Sequence, residues 1–447
     1  MALKIVGEAS FKRKMEAKKL EEQIPETSAK IMENKLTFIE LFAGAGGLSE
    51  GFIRTGFQPV AYIEMDNYSC LTLKTRLAYY YLKEQGKSAL YYDYIKGDIT
   101  REQLYSYIPQ NIFCPVINEE IKQDNLNELF NKVETNIEKN NIKQINILLG
   151  GPPCQSYSLI GRARDPYRMK NDKRNYLYKL YTEFLKKFKP EIFVFENVPG
   201  LISACKGQLW KDVLEHFSKA GYKVSYKILN AYDFGVLQNR KRIIAIGWRT
   251  ELNLKYPEFD KDYIVNKYKV DDILSDLSPI KKGDELTTGK YAGKATEYLT
   301  EYGIRNDEDI LTLHIARKHN RQDKIIYEFY IKSWFEKKIR PDYDQLPEYL
   351  KTHRNRTSFK DRFKIVAPDL PYAQTVVSHL GKDGHYFIHP DINQLRSISP
   401  REAARLQSFP DNFYFEGPMT AVFRQIGNAV PPLMAEKIAL KVREMIV

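Results

Sequence analysis

Cys154 stands in the stretch GGPPCQSYS, behind two glycines and two prolines that follow the apolar run NILL. A thiol of ordinary pKa, about 8.5, is mostly protonated near neutral pH, so a nucleophilic role requires a cationic neighbour or a base. Pro152 and Pro153 fix φ on the approach and limit the entropy lost in aiming the group. The plainer reading is a small apolar core residue, the common fate of a free cysteine. The polar QSYS that follows weighs against it. Two other stretches offer partners. FVFENVPG sets Glu196 and Asn197 at the end of an apolar run, where Phe193, Phe195 and Val198 would raise a carboxyl pKa and suit it to donate a proton. QNRKR carries Arg240 and Arg242 at alternate positions, which an extended chain directs to one face. Basic alternation by itself is usually only a solvated surface.

A second group of residues has the makings of a nucleoside site. In FIELFAGAGGLSEGF a β-rich run enters glycines and then a helical pattern, a corner where backbone approaches a ligand closely. Gly44 and Gly46 begin a dinucleotide-like spacing, but its third position falls on Ser49, so the turn suits a nucleoside better than a pyrophosphate. Glu64 ends the next apolar run, where an acid can hold both ribose hydroxyls. Asp98, in GDIT, is expected to accept from an exocyclic amine at the end of a third strand. Any one of these acids alone is more often a solvated loop residue.

The elements that must position these groups alternate. The runs LTFIELF, PVAYIEM, INILLGG, EIFVFENV, KVSYKIL and RIIAIGW read as strands, with helices predicted over 176–187 and 209–220. That rhythm predicts an α/β fold with a mostly parallel sheet covered on both faces. Beyond about residue 249 the rhythm breaks into a Tyr-, Lys- and Arg-rich stretch, read as a second, smaller domain. Before residue 36 lies a charged, Glu- and Lys-rich arm. With 447 residues, a net charge of +12 and no apolar run long enough to span a membrane, the chain reads as a soluble protein with a polyanionic partner. The N-terminus has no signal-peptide core, which points to the cytoplasm. The four cysteines lie far apart without a C-x-x-C pair, and His385 and His389, in HYFIHP, are read as non-metal.

Taken together, ELFAGAGG, YIEMD, GDIT, GGPPCQSYS, RNYLY, FENV, QNRKR, REAARLQSFPD and QIGNAVPP follow one another in the order of a known family. Over residues 36–447 the chain resembles the cytosine-5 DNA methyltransferases of bacterial restriction-modification systems. The resemblance implies a Rossmann-like domain that binds S-adenosylmethionine, built from 36–255 and completed by 421–447, with a target-recognition domain over 256–420 and the arm over 1–35. It implies that Cys154 attacks carbon 6 of a flipped-out cytosine, that Glu196 protonates ring nitrogen 3, and that Arg242 sits near the cytosine oxygen with Arg240 supporting the same pocket. Carried over by position, Phe42 packs on the adenine, Gly44 and Gly46 shape the turn, Glu64 binds the ribose, and Asp98 takes the adenine amine. Met65 and Ile99 would line the ring, and Pro153, Leu177, Asn428 and Val430 the methionine part. Thr375 and Val376, in QTVV, are the target-contacting candidates. Met65 stands where several relatives carry an aromatic residue, and Glu40 where Asp is commoner. The implied partners are double-stranded DNA and a separately acting restriction endonuclease, with the enzyme working as a monomer. A tRNA methyltransferase of the same fold shares these blocks, but the long basic middle segment favours DNA. An oxidoreductase with a redox cysteine would want G-x-G-x-x-G or C-x-x-C, and neither is present.

Overall fold

The computed structural model describes residues 35–153, 176–259, 267–280, 288–351, 353, 356 and 360–447. Cys154 and the arm up to residue 34 lie outside them. Seven strands form one sheet: β1 (Thr37–Leu41), β2 (Gln58–Glu64), β3 (Val116–Asn118), β4 (Ile147–Gly150), β5 (Ile192–Asn197), β6 (Tyr222–Asn230) and β7 (Lys241–Arg249). Their spatial order is β3-β2-β1-β4-β5-β7-β6. The first five run parallel, and β7 pairs antiparallel with both β5 and β6. Six strands match the expected runs; β3 does not, and it decides the fate of one predicted contact below.

Near-continuous apolar strands need cover on both faces, and alternate side chains divide between two cores. Phe38, Ile147, Leu149, Val194 and Ile244 enter one cluster; Ile39, Leu148, Phe193, Phe195 and Ile243 enter the other. Helix α1 (Gly47–Arg54) covers the first face. Helix α2 (Asn67–Glu84) follows β2 and leads into α3 (Ser88–Lys96) and α4 (Arg101–Ser106). These last two surround an aromatic satellite core that includes Tyr79, Tyr91 and Phe113. The second face is covered by α5 (Leu126–Lys139), α6 (Leu177–Phe188) and α7 (Gln208–Lys219).

The second region is built around α8 (Arg321–Lys337), whose Tyr327, Tyr330 and Trp334 share a separate core with Phe363, Ile365 and Ile388. That independent core spans only 326–388. Residues such as Tyr268, Tyr298 and Phe409, on either side of it, belong to the core of the sheet. The chain then returns through α9 (Pro400–Leu406), α10 (Met419–Asn428) and α11 (Pro432–Ile446), and α11 packs against α1. A Cβ on Gly51 would lie 2.2 Å from the Glu436 backbone nitrogen, so only glycine admits so close an approach.

Candidate active site

Strand order reverses at β1, which sends its successor β2 to one side and takes β4 on the other. Ligands of open α/β sheets sit at such a switch point, outside the carboxyl ends of the strands. The glycine turn after β1 and the proline turn after β4 therefore face one crevice.

At the proline turn, Gly150 pairs with Phe195, which brings Gly151 level with Glu196. A Cβ on Gly151 would lie 2.6 Å from Glu196 Oε2, so a larger residue would displace the carboxylate. Asn197 Nδ2 donates to the Pro152 carbonyl at 3.3 Å, while Asn197 Oδ1 accepts from the Val198 amide at 2.8 Å. Pro152 is buried and Pro153 exposed, so the chain reaches the surface just before position 154. Arg242 Nε meets Glu196 Oε1 at 2.8 Å, with each side chain 13% exposed. Both sit on adjacent strands, since β5 and β7 pair with Glu196 opposite Ile244.

Arg240 is a different kind of residue from the one expected. It precedes β7, is 1% exposed, and donates to three backbone carbonyls: Val376 at 2.7 Å, Gly427 at 3.1 Å and Ala429 at 2.8 Å. Burial and then Arg242 disfavour its charge, with Glu196 opposing them. A guanidinium keeps its proton in proteins, so the carbonyls, two of them at the negative end of the α10 dipole, must compensate. The expectation that Arg240 supports the pocket of Arg242 as a catalytic residue is corrected in its catalytic part, because its Nη donors are engaged by backbone and not aimed at a substrate.

On the glycine side, Phe42 has φ +57°, Gly44 +55° and Gly46 +81°. A non-glycine residue in the left-handed region is a strained turn, and strain of this kind clusters at functional sites. A Cβ on Gly46 would lie 2.7 Å from Leu73 Cδ2, whereas one on Gly44 would meet no atom within 4 Å. Glu64 Oε2 accepts from the Gly44 amide at 2.8 Å and Oε1 from the Asp66 amide at 2.7 Å. Burial raises the Glu64 pKa despite these donors. Ionised oxygens oriented this way still have lone pairs for two hydroxyls. Met65 follows, 65% exposed, and Leu177 opens α6 half-buried. The return chain closes the crevice: Asn428 is exposed at the end of α10, and the Val430 carbonyl lies 2.4 Å from where a Cβ on Gly47 would be.

Asp98 and Ile99 are not part of this rim. They follow the end of α3, where the Asp98 amide donates to the Asp93 carbonyl and Ile99 packs on the aromatic satellite core. GDIT precedes a helix, not the end of a strand. The residue that ends β3 is Asn118, paired with Glu64, and its Nδ2 donates to the carbonyls of Glu64 (3.1 Å) and Met65 (3.2 Å). The sequence signal for it is slight, a run IFCPVI broken by proline before an Asn-Glu-Glu, of which only the last part forms the strand.

Of the two target candidates, Val376 is fully buried, and its amide donates to Gln238 Oε1 at 2.9 Å. That burial contradicts a side-chain contact with DNA. Thr375 is half-buried and gives its hydroxyl to the Asn239 carbonyl at 2.5 Å. The segment lies beside QNR through a parallel bridge between Gln238 and Ala373. Sequence reasoning also missed Gln238 and Gln407, both fully buried and joined by a 3.0 Å hydrogen bond.

Comparison with known proteins identifies the family. The profile of the C-5 cytosine-specific DNA methylases matches residues 36–92 and 118–444. The unmatched gap holds Asp98 and ends at Asn118. The type II methyltransferase M.Bpa9945I of Bacillus paralicheniformis is 39% identical over 91% of this chain and 98% of its own length. The type II methyltransferase M1.HphI of Haemophilus parahaemolyticus is 28% identical over 92% and 87%. A crystal structure described as a prophage-encoded DNA modification methyltransferase (E. coli) superposes with a TM-score of 0.62 at 23% identity, covering 92% of this chain and 99% of that one, and supports the fold. The chain belongs to the C-5 cytosine-specific DNA methylase family and is a DNA cytosine-5 methyltransferase.

Proposed function

We propose that the enzyme takes its methyl group from S-adenosylmethionine and places it on a cytosine flipped out of a specific duplex sequence, as the modification half of a restriction-modification system. The observation that carries this reading is the Glu196–Arg242 pair, set against Gly151 and the proline turn that leads to Cys154. The residues of the crevice fit the cofactor: Gly44 leaves room for close approach, and Glu64 is oriented by two amides. Glu64 would hold the ribose hydroxyls, and Phe42, Gly46 and Met65 would flank the adenine. Asn118 would take the adenine amine in place of Asp98, since its Nδ2 is engaged by carbonyls and its Oδ1 remains to accept. Pro153, Leu177, Asn428 and Val430 would surround the methionine part. Bound there, S-adenosylmethionine supplies an electrophilic methyl group.

Cys154, as thiolate, adds to cytosine carbon 6 and forms an S–C bond while Glu196 donates a proton to ring nitrogen 3. Electron density thereby placed on carbon 5 would accept that methyl group, with S-adenosylhomocysteine as the leaving group. Loss of the carbon 5 proton to water then expels the thiolate, and ring nitrogen 3 returns its proton to Glu196, which restores the ring. Arg242 keeps Glu196 aimed and sits ready for the cytosine oxygen. Flipping costs a few kcal/mol of stacking and pairing. Basic contacts to phosphates offset it, so binding weakens steeply with salt. The compact core over 326–388 belongs to the target-recognition region, and Thr375, hydrogen-bonded to the Asn239 carbonyl, lies between core residues of the sheet, Ala373 and Val376. Among the described residues no helix is long and apolar enough to cross a membrane.

The test is label transfer from S-adenosylmethionine to unmethylated genomic DNA and, separately, to unmodified tRNA, with bisulfite sequencing of the DNA product. Label in DNA at a fixed motif is expected. Label in tRNA alone, or in neither, contradicts the reading.

A further inference from the structure

The buried junction around Arg240 links two places that the proposed function keeps apart, the target segment and the cofactor crevice. Its Nη1 holds the Val376 carbonyl, and its Nη2 holds the Gly427 and Ala429 carbonyls at the end of α10. Gln238 extends the junction: its Oε1 accepts from the Val376 amide, and its Nε2 donates to Leu406 O and Gln407 Oε1. Gln407 in turn donates to the carbonyls of Ile426 and Ala429. On the far side, Ala429 and Val430 press on the glycine turn: a Cβ on Gly47 would be 2.8 Å from Ala429 Cβ and 2.4 Å from Val430 O. The target segment also abuts α10 directly, since a Cβ on Gly427 would lie 2.3 Å from the Ser378 nitrogen. Contact is thus continuous from Thr375 to the turn after β1.

Among the described residues, Arg240 is hydrogen-bonded to backbone carbonyls and not to a carboxylate. An ion pair would satisfy a buried guanidinium locally and leave the segments on either side independent. Carbonyls from two separate segments satisfy the Nη groups of Arg240 only while both stay in place, because a lost partner leaves a buried polar group unmet. Each segment therefore stabilises the position of the other.

We propose that Arg240 is a positioning residue that couples cofactor binding to target binding. This rests on the cofactor reading given above. A ligand seated against Gly47 and Val430 fixes the end of α10, which through Arg240 fixes 375–377 before DNA arrives; the ordering cost is then already met, and the two ligands bind with positive cooperativity.

The experiment uses the whole chain, with S-adenosylhomocysteine and sheared unmethylated genomic DNA as probes. In the wild type, S-adenosylhomocysteine alone should slow amide exchange across 374–378. DNA should tighten S-adenosylhomocysteine binding at least about fivefold, the lower end of typical coupling. Arg240→Lys, which keeps the charge but loses the fork that bridges both segments, should still bind S-adenosylhomocysteine and melt cooperatively, with the tightening reduced below about twofold. S-adenosylhomocysteine that binds the wild type without changing exchange or responding to DNA overturns the coupling and leaves the cofactor reading standing. Coupling that persists in Arg240→Lys overturns the role of Arg240. A wild type that does not bind S-adenosylhomocysteine overturns the cofactor reading and this inference with it. Should Arg240→Lys fail to fold, Arg240→Gln takes its place under the same criteria, while the wild-type exchange experiment decides the coupling itself.

Discussion

Arg240 and Arg242 are two positions apart in one motif, yet they belong to different parts of the molecule. Arg242 lies on β7, 13% exposed, and meets a carboxylate that borders the crevice. Arg240 lies just before the strand, 1% exposed, and among the described residues its hydrogen-bond acceptors are backbone carbonyls. A charge opposite a charge in a partly wet site can exchange its partner for a substrate. A charge enclosed by carbonyls cannot, because nothing else would satisfy it. The lesson is that spacing selects residues for a motif, while depth decides which of them can touch a reactant.

The comparison can be broken at the chemical end first. Cys154→Ser should lower methyl transfer to DNA by at least about 10³-fold, because sulfur is the attacking atom; label incorporation measures it. Glu196→Gln should lower kcat by about 10²–10⁴-fold, the range of a lost general acid, with S-adenosylhomocysteine affinity within about twofold of the wild type by calorimetry.

Charges that do titrate sharpen the contrast with Arg240. Burial works against the charge of Glu50, but Arg76 and then Arg54 outweigh it and hold the carboxyl down at about 2. Its contribution is present above the ordinary value of 4.5 and is lost as pH falls toward 2, on the order of a few kcal/mol. Glu40 has the opposite sign: burial pushes it up to about 8, with Ser49 opposing and Glu64 adding. The folded protein keeps that proton where the unfolded chain has released it, so stability declines as pH rises from 4.5 through 8. Melting curves across pH should therefore lose their acid limb in Glu50→Gln and their alkaline slope in Glu40→Gln. The smallest effect concerns the rim. Asn118→Ala should raise KM for S-adenosylmethionine about 5–10-fold, one hydrogen bond, whereas Asp98→Ala should leave it unchanged.

The sheet was legible because its strands are long apolar runs ended by glycine, proline or polar residues, as at β1, β4 and β5. Glu196 was legible for the same reason, since it sits near the end of such a strand, whereas its ion pair with Arg242 was not among the expectations. β3 escaped notice because three residues carry no periodicity, and GDIT, within the long segment between β2 and β4, offered a false substitute. The depth of Arg240 and Val376 was not readable, because it depends on 373–376 and 427–429 packing beside QNR across more than 130 positions of chain. No local pattern encodes an approach of that kind. The second region shows the same limit: its independent core is confined to 326–388, while its flanks share the core of the sheet, and composition alone marks no such division.

The most direct test compares Arg240→Lys with Arg242→Lys in single-turnover methyl transfer, with DNA and S-adenosylmethionine both saturating. The account predicts that Arg242→Lys slows the step by at least about 10²-fold, the cost of losing a donor placed for developing charge. Arg240→Lys should slow it less than about tenfold, since saturating ligands supply the order that the junction otherwise provides. Equal losses in the two variants, or a larger loss in Arg240→Lys with its fold intact, would contradict it.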